Sequence, residues 1–469
     1  MRPHPSESKV ADIGRAVDGR RIVNETEGWM RGLIACRNNL SPATPLRGAR
    51  ITGVLHMTAQ TAVLIETLSA LGADLRWCSS NAFSTQDSVA AAVAKARSAS
   101  IFAWKGQTPQ EYWWCVKKAC TWPGGKGPNL ILDTGGDLTH LIHVGVDYEI
   151  SYERTGAPPP HLLGLEPAEE SAVILNMLRD QYLRNPAHWR ELVQEVVGVC
   201  EQTSSGVHRL RQRESNGSLL FPAMSINDCI TKSKIENIYG IKHSVLNGLL
   251  CALDVMLAGK TVLICGFGDV GMGCAMAMKA AGARCLVAET DPVRALMAGM
   301  EGYQVTTIET VLSEVDMFIT ATGDSGVIRM EHMLKMKKNA VVGNMGHFNR
   351  EIDMESLRKY PGTKAIEVKP NVQRWTFQDG HSITLLAEGR LLNLICGTGN
   401  PSLVMSIAFT LQVLTQAHLW KNRNLAQTLP TVCVPPRKID TQAALYHLPC
   451  IGAELTVSTN NPISSNEVL

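Results

Sequence analysis

The sequence predicts an α/β protein with two doubly wound parallel-sheet domains and a short C-terminal segment. Short apolar strands alternate with helix-like segments in the first half of the chain, and a glycine-rich turn joins an apolar strand to a helix in the second half. Strands that alternate with helices build parallel sheets covered by helices on both faces. The chain has 469 residues, which is too long for one ordinary core, so two or three domains are expected.

The first half of the chain contains the alternating strand-like and helix-like segments. Its apolar runs have the length and composition of buried strands, and the run after the first of them has the spacing of a helix. Loops at the carboxyl ends of parallel strands are where such folds bind ligands. Strands are predicted at residues 50–55, 75–78, 101–104 and 129–133, a helix at 61–70, and ligand-facing loops at 56–58, 81–87 and 133–137.

The alternation is interrupted between about residues 148 and 180. A Gly-Ala-Pro-Pro-Pro run at 156–160 breaks regular structure, and residues 169–178 have the pattern of an amphipathic helix. Two interpretations stay open for this insertion: a surface excursion, or a new docking helix.

The second half contains a glycine-rich turn after the apolar run at 261–265. Gly266, Gly268 and Gly271 have the G-x-G-x-x-G spacing of a dinucleotide site, and a small-residue helix is predicted over 275–281. The glycines permit a tight turn, close approach of the backbone to a pyrophosphate, and close packing of helix on strand. A glycine turn without a ligand is the alternative interpretation.

The next predicted strand, residues 285–289, ends in an acid eighteen residues after Gly271. Glu289 can accept a hydrogen bond from a ribose 2′-hydroxyl and would repel a 2′-phosphate, which favours NAD over NADP. Later strands of this domain are expected within 315–323 and 340–347. An apolar helix over 402–420 is expected to return the chain to the first domain.

The composition of the chain indicates its cellular compartment and the classes of binding partner it is not expected to have. A formal net charge of +2 gives no electrostatic reason to expect nucleic acid or an anionic membrane. We find no N-terminal apolar segment and no apolar run long enough to span a bilayer. The thirteen cysteines show no C-x-x-C pair or zinc-ligand spacing, so they are interpreted as buried free thiols in a reducing compartment, the cytoplasm.

Seven motifs resemble the S-adenosylhomocysteine hydrolase (adenosylhomocysteinase) family. They occur in the family's order, and the likeness covers about residues 8–145 and 182–455. It is nearest to the adenosylhomocysteinase-like branch, which shares residues 58–61 and 391–394. The motifs are His-Met-Thr at 56–58, Phe-Ser-Thr-Gln-Asp at 83–87, Asn-Asp-Cys-Ile-Thr-Lys-Ser-Lys at 227–234, the glycine turn at 266–273, Met-Glu-Gly-Tyr at 300–303, Asn-Met-Gly-His at 344–347 and Ala-Glu-Gly-Arg at 387–390.

The resemblance implies a substrate domain over residues 1–235, including the insertion, and a Rossmann NAD-binding domain over 236–398. Residues 399–455 would return to the substrate domain, and 456–469 form a divergent tail. The family's C-terminal Lys-Pro…Tyr-Arg-Tyr pattern, which reaches the cofactor bound by a neighbouring protomer, is not found here. Cofactor retention and assembly are therefore left open, and a homo- or hetero-oligomer with family members is expected.

The chemistry implied by the resemblance is a redox cycle within a hydrolysis. Bound NAD takes a hydride from the ribose 3′ carbon, and the resulting ketone acidifies the C4′ proton. Homocysteine then leaves, water adds, and the ketone is reduced again. Such a cycle needs a lysine–carboxylate pair at the 3′-hydroxyl, a further acid–base group near C4′ and C5′, and a dry site.

The resemblance also assigns residues, with S-adenosylhomocysteine or adenosine as the substrate. The catalytic candidates are Lys232, Glu236, His56, His347 and, at a substituted position, Thr134. The substrate-binding candidates are Thr58, Gln60, Gln202, Lys232, Glu236 and Asn400. The cofactor-binding candidates are Thr203, Ser204, Ser205, Asn237, Gly266, Gly268, Asp269, Val270, Gly271, Glu289, Met345, Gly346, His347 and Asn393.

Several of these positions depart from the family. Thr134 and Gln202 stand where the family has an aspartate and a glutamate, and a hydroxyl cannot replace a carboxylate as a base at neutral pH. Glu236 replaces an aspartate and still ionises. The remaining departures are Gln60 for glutamate, Asn400 for histidine, Met272 for lysine and Arg294 for asparagine.

Three functions remain open. The first is a pseudoenzyme, an NAD-binding relative of the S-adenosylmethionine and one-carbon cycle whose hydrolase activity is reduced or lost and which acts through assembly or regulation. The second is an active hydrolase that gives adenosine and L-homocysteine. The third, an NAD-dependent 2-hydroxy acid dehydrogenase, would need a substrate-carboxylate arginine and a His–Glu pair in contexts that this sequence does not show.

Overall fold

The computed structural model describes residues 7–160, 168–347, 349–424 and 430–456. Part of the insertion and nearly all of the divergent tail lie outside the described residues. The chain divides into two compact units: Met1–Thr231 with Met405–Leu469, and Lys232–Val404. We call these the first and the second unit.

Strands and helices alternate along both units. The strands are β1 (Lys9–Val10), β2 (Arg50–Val54), β3 (Asp74–Cys78), β4 (Ser100–Ala103), β5 (Leu130–Asp133), β6 (Gly198–Glu201), β7 (Ala223–Ser225), β8 (Thr261–Cys265), β9 (Arg284–Ala288), β10 (Gln304–Val305), β11 (Met317–Thr320), β12 (Ala340–Asn344), β13 (Lys364–Lys369), β14 (Val372–Thr376), β15 (Ser382–Leu386) and β16 (Val432–Cys433).

The helices are α1 (Ala16–Trp29), α2 (Arg31–Leu40), α3 (Ala59–Ala70), α4 (Asp87–Ala96), α5 (Pro109–Cys120), α6 (Asp137–Thr155), α7 (Ala168–Arg184), α8 (His188–Val193), α9 (Ser204–Ser215), α10 (Ile241–Ala252), α11 (Asp269–Ala280), α12 (Pro292–Met300), α13 (Ile308–Val311), α14 (Met330–Met333), α15 (Met354–Lys359), α16 (Leu392–Ile395), α17 (Ser402–Lys421) and α18 (Arg437–His447). A π-helix spans Thr231–Gly240.

The sheet of the first unit is parallel throughout its described pairings, in the order β1-β4-β3-β2-β5-β6-β7-β16. Within it, β4-β3-β2-β5-β6-β7 follows the 3-2-1-4-5-6 order of a doubly wound sheet. The order reverses between β2 and β5, so the loops after these two strands flank a crevice at the carboxyl edge, where ligands bind in such sheets.

Successive residues of a strand in the first unit pack into hydrophobic clusters on opposite faces of the sheet. Leu130 and Leu132 pack in the cluster that contains Ile51, whereas Ile131 packs in the cluster that contains Val54. A strand turns alternate side chains to opposite faces, so apolar residues at every position indicate burial on both faces.

The sheet of the second unit has the order β10-β9-β8-β11-β12-β15-β14-β13. Its first six strands run parallel, again in the 3-2-1-4-5-6 order, with the switch between β8 and β11. Two antiparallel pairings, β15 with β14 and β14 with β13, extend the edge. The parallel doubly wound prediction is confirmed for the six-stranded part, and the antiparallel edge was not predicted.

The predicted strands and helices form close to the expected residues, with three corrections. Helix α11 begins directly after Gly268, six residues before the predicted start. Helix α17 is long and apolar enough to cross a membrane, contrary to the expectation of no such run, yet 78% of its most apolar window is buried. All thirteen cysteines are free, but Cys251 and Cys433 are exposed.

The insertion helix α7 packs against α5 and α6. Its Ile174 and Leu178 side chains are buried in the first unit's second apolar cluster. After α7, the backbone N–H groups of Trp189 and Arg190 donate to the buried Glu149 carboxylate at 2.7 and 3.1 Å, which ties the start of α8 to α6.

Replacing Glu149 with alanine should destabilise the first unit by about 3 kcal/mol, because two buried N–H donors and the Arg190 guanidinium lose their acceptor. Glu153→Ala is the matched control, since Glu153 pairs with the same arginine at the surface. It should cost less than about 1 kcal/mol. Chemical denaturation of both variants measures the difference, and equal losses would contradict the assignment.

Candidate functional site

The loop after β2 places three predicted residues at the carboxyl edge of the first unit. Thr58 caps helix α3, its Oγ1 accepting from the backbone N–H of Thr61 at 3.4 Å. His56 Nδ1 lies 2.7 Å from Ser84 Oγ and 3.2 Å from Ser80 Oγ. Gln60 is half-buried in the first turn of α3. The imidazole is therefore positioned by two hydroxyls.

Two buried carboxylates hold the loops after β5 and β6. Asp133 Oδ2 accepts from both the backbone N–H and the hydroxyl of Thr139 at 2.8 Å. Glu201 Oε1 accepts from the backbone N–H groups of Gly135 and Thr203 and from the Thr203 hydroxyl. Burial raises the pKa of both carboxyls, and the neighbouring Glu201 charge raises the pKa of Asp133 further.

The substituted residues form a neutral cluster beside these acids. Gln202 Oε1 accepts from Gln412 Nε2 at 2.8 Å and, at a longer 3.5 Å, from the Thr134 hydroxyl. All three side chains are buried. Gln412, on helix α17, was not predicted as a site residue. Two amides and a hydroxyl therefore occupy the space beside Asp133 and Glu201, and none of them carries a charge.

The three residues after Gln202 have structural tasks of their own in the first unit. Thr203 caps helix α9, and its Oγ1 accepts from the backbone N–H of Gly206 at 3.2 Å. Ser204 Oγ accepts from Asn227 Nδ2 at 3.0 Å, and Ser205 Oγ lies 3.2 Å from Thr203 Oγ1. The structure brings these three predicted cofactor residues together with Gln202 in one turn.

In the second unit, the π-helix places a lysine beside a carboxylate. Lys232 Nζ donates to Asn237 Oδ1 at 2.6 Å and lies 3.6 Å from Glu236 Oε1. Lys232 and Glu236 are both buried. The wider turn of a π-helix, which bonds residue i to i+5, keeps positions i, i+4 and i+5 on one face. The sequence did not predict this helix type.

A chain of hydrogen bonds continues from Glu236. Asn400 Nδ2 donates to Glu236 Oε1 at 3.3 Å, and Ser244 Oγ donates to Asn400 Oδ1 at 2.9 Å. Asn393 Nδ2 in turn donates to Ser244 Oγ at 3.0 Å. Asn393 Oδ1 is buried without a hydrogen-bond partner among the described residues. Buried polar atoms are nearly always paired, so this oxygen is available to a donor on a ligand.

The backbone of the turn after β8 favours glycine at two positions. Gly266 has φ +96°, and a Cβ on Gly271 would lie 1.9 Å from the Gly266 carbonyl oxygen. Helix α11 starts behind Gly268 without a side-chain cap, which leaves N–H groups for an anion. Asp269 and Val270 form its first turn, where Asp269 Oδ1 accepts from Lys234 Nζ at 2.6 Å.

Glu289 supports the same turn from the end of β9. Its Oε2 accepts from the backbone N–H of Phe267 at 2.6 Å. Its Oε1 accepts from the backbone N–H groups of Thr290 and Asp291 at 2.7 and 3.0 Å. The acid thus joins the glycine turn to the loop that follows β9.

A buried glutamate that the sequence did not reveal holds the loops after β11 and β12. Glu351 Oε1 accepts from the backbone N–H of Gly323, and Oε2 accepts from that of Thr322, at 2.8 and 3.0 Å. A Cβ on Gly346 would lie 1.5 Å from Glu351 Oε1, so a larger residue here would displace the Glu351 carboxylate. Met345 is buried and His347 is half-buried in the same loop.

Comparisons with known proteins agree with these motifs. The family model for S-adenosyl-L-homocysteine hydrolase matches residues 7–464. The chain belongs to this family. The adenosylhomocysteinase of Triticum aestivum is 50% identical over 456 residues, covering 97% of this chain and 93% of that protein. That of Solanum lycopersicum is 49% identical over 460 residues with the same coverage.

Among solved structures, a dipicolinate synthase from Bacillus halodurans matches with a TM-score of 0.43 and 13% identity, covering 80% of this chain and 99% of that chain.

The raised pKa of Glu201 makes stability depend on pH. Between the ordinary pKa of a glutamate and the raised pKa of Glu201, the folded chain keeps a proton that the unfolded chain has released. The free energy of unfolding therefore falls as the pH rises through this range. Glu201→Gln removes this titration and keeps an amide oxygen for Gly135 and Thr203.

The melting temperature of Glu201→Gln relative to that of the wild type should therefore increase between about pH 4.5 and pH 7. Scanning calorimetry across this range measures the difference. A wild type that gains on the variant as the pH rises would contradict the raised pKa.

Proposed function

We propose that this chain binds NAD and an adenosine-type nucleoside and that its hydrolysis of S-adenosylhomocysteine is reduced or lost. Acting in the cytoplasm, it would then serve a regulatory role, alone or in oligomers with family members. The observation that carries this proposal is the neutral Thr134–Gln202–Gln412 cluster at the carboxyl edge of the first sheet. No member of that cluster can accept a proton as a carboxylate does at neutral pH.

The second unit supports the cofactor. Its glycine turn admits close backbone approach, and the uncapped start of α11 offers N–H groups to phosphates. The unpaired Asn393 Oδ1 fits an amide donor such as that of nicotinamide. Bound NAD would supply a hydride acceptor for the ribose 3′ carbon.

The Lys232–Glu236 pair supports the first chemical step. The Glu236 carboxylate lies 3.6 Å from the buried Lys232 ammonium, and this pair offers both a donor and an acceptor to the 3′-hydroxyl. We therefore propose that oxidation at the 3′ carbon is retained, whereas proton transfer at C4′ is lost with the acids at positions 134 and 202.

The alternative is a working but slowed hydrolase. His56, His347, Lys232 and Glu236 favour it, because these acid–base side chains are present. Loss of one positioned acid–base group lowers a rate by about a hundred- to ten-thousand-fold. The two proposals therefore differ in measurable turnover.

Purified wild-type protein should release homocysteine from S-adenosylhomocysteine at a rate at least about a hundredfold below that of Thr134→Asp/Gln202→Glu, which restores both acids. Adding Lys232→Met to the double variant is the control and should remove the recovered activity. A wild type as fast as an active family member would overturn the proposal. A folded double variant without activity would place the defect elsewhere.

The proposed oxidation at the ribose 3′ carbon can be measured separately from hydrolysis. Adding adenosine to NAD-loaded wild type should produce the absorbance of reduced nicotinamide, because the Lys232–Glu236 pair is intact. Lys232→Met should produce none. If the wild type gives no reduced nicotinamide although it binds both ligands, the retained oxidation step is wrong.

Cofactor binding should depend on the glycine turn. Gly271→Ala should weaken NAD binding by more than about tenfold, because its Cβ would overlap the Gly266 carbonyl. Gly299→Ala in α12 is the control, since a Cβ there meets no atom within 4 Å. Calorimetric titration should show unchanged affinity for the control, and equal losses in both variants would contradict this role of the turn.

A further inference from the structure

Arg294 places a cation at the glycine turn. It lies in the first turn of α12, where the Asp291 side chain accepts from its backbone N–H at 3.0 Å. Its Nη1 lies 3.5 Å from the point that a Cβ on Gly268 would occupy, and its Cζ lies 3.9 Å away. The guanidinium is therefore close to the backbone that approaches a bound dinucleotide.

This guanidinium is not engaged elsewhere. Arg294 is exposed, and its side chain has no hydrogen bond or ion pair with the described residues. The nearby acids have other partners, because Asp269 is paired with Lys234 and the Asp291 carboxylate caps α12. A guanidinium has five donors in a planar fork, and a phosphate accepts two of them at once.

The carboxylate that should exclude a 2′-phosphate is already occupied by the loop. Glu289 accepts from the N–H groups of Phe267, Thr290 and Asp291. Glu289 also lies beyond ion-pair distance of Arg294. The ribose end of the turn therefore contains one satisfied carboxylate and one unpaired cation.

We infer that Arg294 makes this site accept a dinucleotide with a phosphate on the adenosine ribose, so that NADP binds as well as NAD. The inference rests on the proposed function and deepens it. N–H groups at the start of α11 already serve the pyrophosphate. Arg294 comes instead from the segment after β9, which in such sheets contacts the ribose 2′ position, and an arginine there accommodates a 2′-phosphate.

Calorimetric titration of the full chain with NAD and with NADP tests this inference. Wild type should bind the two with dissociation constants within about tenfold of each other. Arg294→Asn should weaken NADP binding by about ten- to a hundredfold, the loss of a charge-assisted phosphate contact, and NAD binding by less than about threefold. Arg294→Lys should fall between them, because it keeps the charge without the fork.

Lys338→Asn is the matched control. Lys338 is an exposed cation of the same unit, but it precedes β12 and so lies at the amino edge of the parallel sheet, away from the turn after β8. It should leave both affinities unchanged. An equal loss in this control would assign the Arg294 effect to net charge and overturn the inference.

Three further outcomes would overturn it. Wild type that binds NAD but not NADP would show that Glu289 decides specificity. Equal weakening of both nucleotides by Arg294→Asn would assign the arginine to the shared pyrophosphate. Binding of neither nucleotide would overturn this inference together with the proposed cofactor, whereas the first two outcomes leave the proposed function intact.

Discussion

Carboxylates that accept main-chain N–H groups hold the loops at the carboxyl edges of both sheets. Asp133 and Glu201 do so after β5 and β6 of the first unit. Glu289 and Glu351 do so after β9, β11 and β12 of the second unit. Loop N–H groups have no sheet partner, and a buried one left unpaired costs about 1–3 kcal/mol, so these acids set the loop geometry on which each candidate site depends.

Under the proposed function, this structural task also explains why Asp133 does not replace the acids lost at positions 134 and 202. The oxygens of Asp133 accept from the Thr134 and Thr139 backbones and from the Thr139 hydroxyl. Glu201 uses Oε1 for the loop, and its Oε2 is buried. To act as a base towards a substrate, Asp133 would have to give up bonds that hold its loop.

The sequence predicted those parts of the fold that depend on local pattern. Apolar runs identified the parallel strands, and the glycine spacing identified the turn, because both are set by the nearest neighbours along the chain. Gln412 and Ser244 were missed because their partners, Gln202 and Asn393, are more than a hundred residues away. The antiparallel edge at β13 was missed because Ala365, Ile366 and Val368 lie among charged residues and do not form the continuous apolar run of a buried parallel strand.

The substitutions in the first unit also have a consequence for stability. The resemblance to the family implies four carboxyls on two adjacent strand ends, and this chain has two of them, Asp133 and Glu201. Like charges in a buried site repel, and each added carboxylate must also be desolvated. The neutral Thr134–Gln202–Gln412 cluster avoids both costs and keeps its hydrogen bonds. Under the proposed function, the substitutions that remove the base also relieve this repulsion, and restoring the two acids should lower the stability of the first unit.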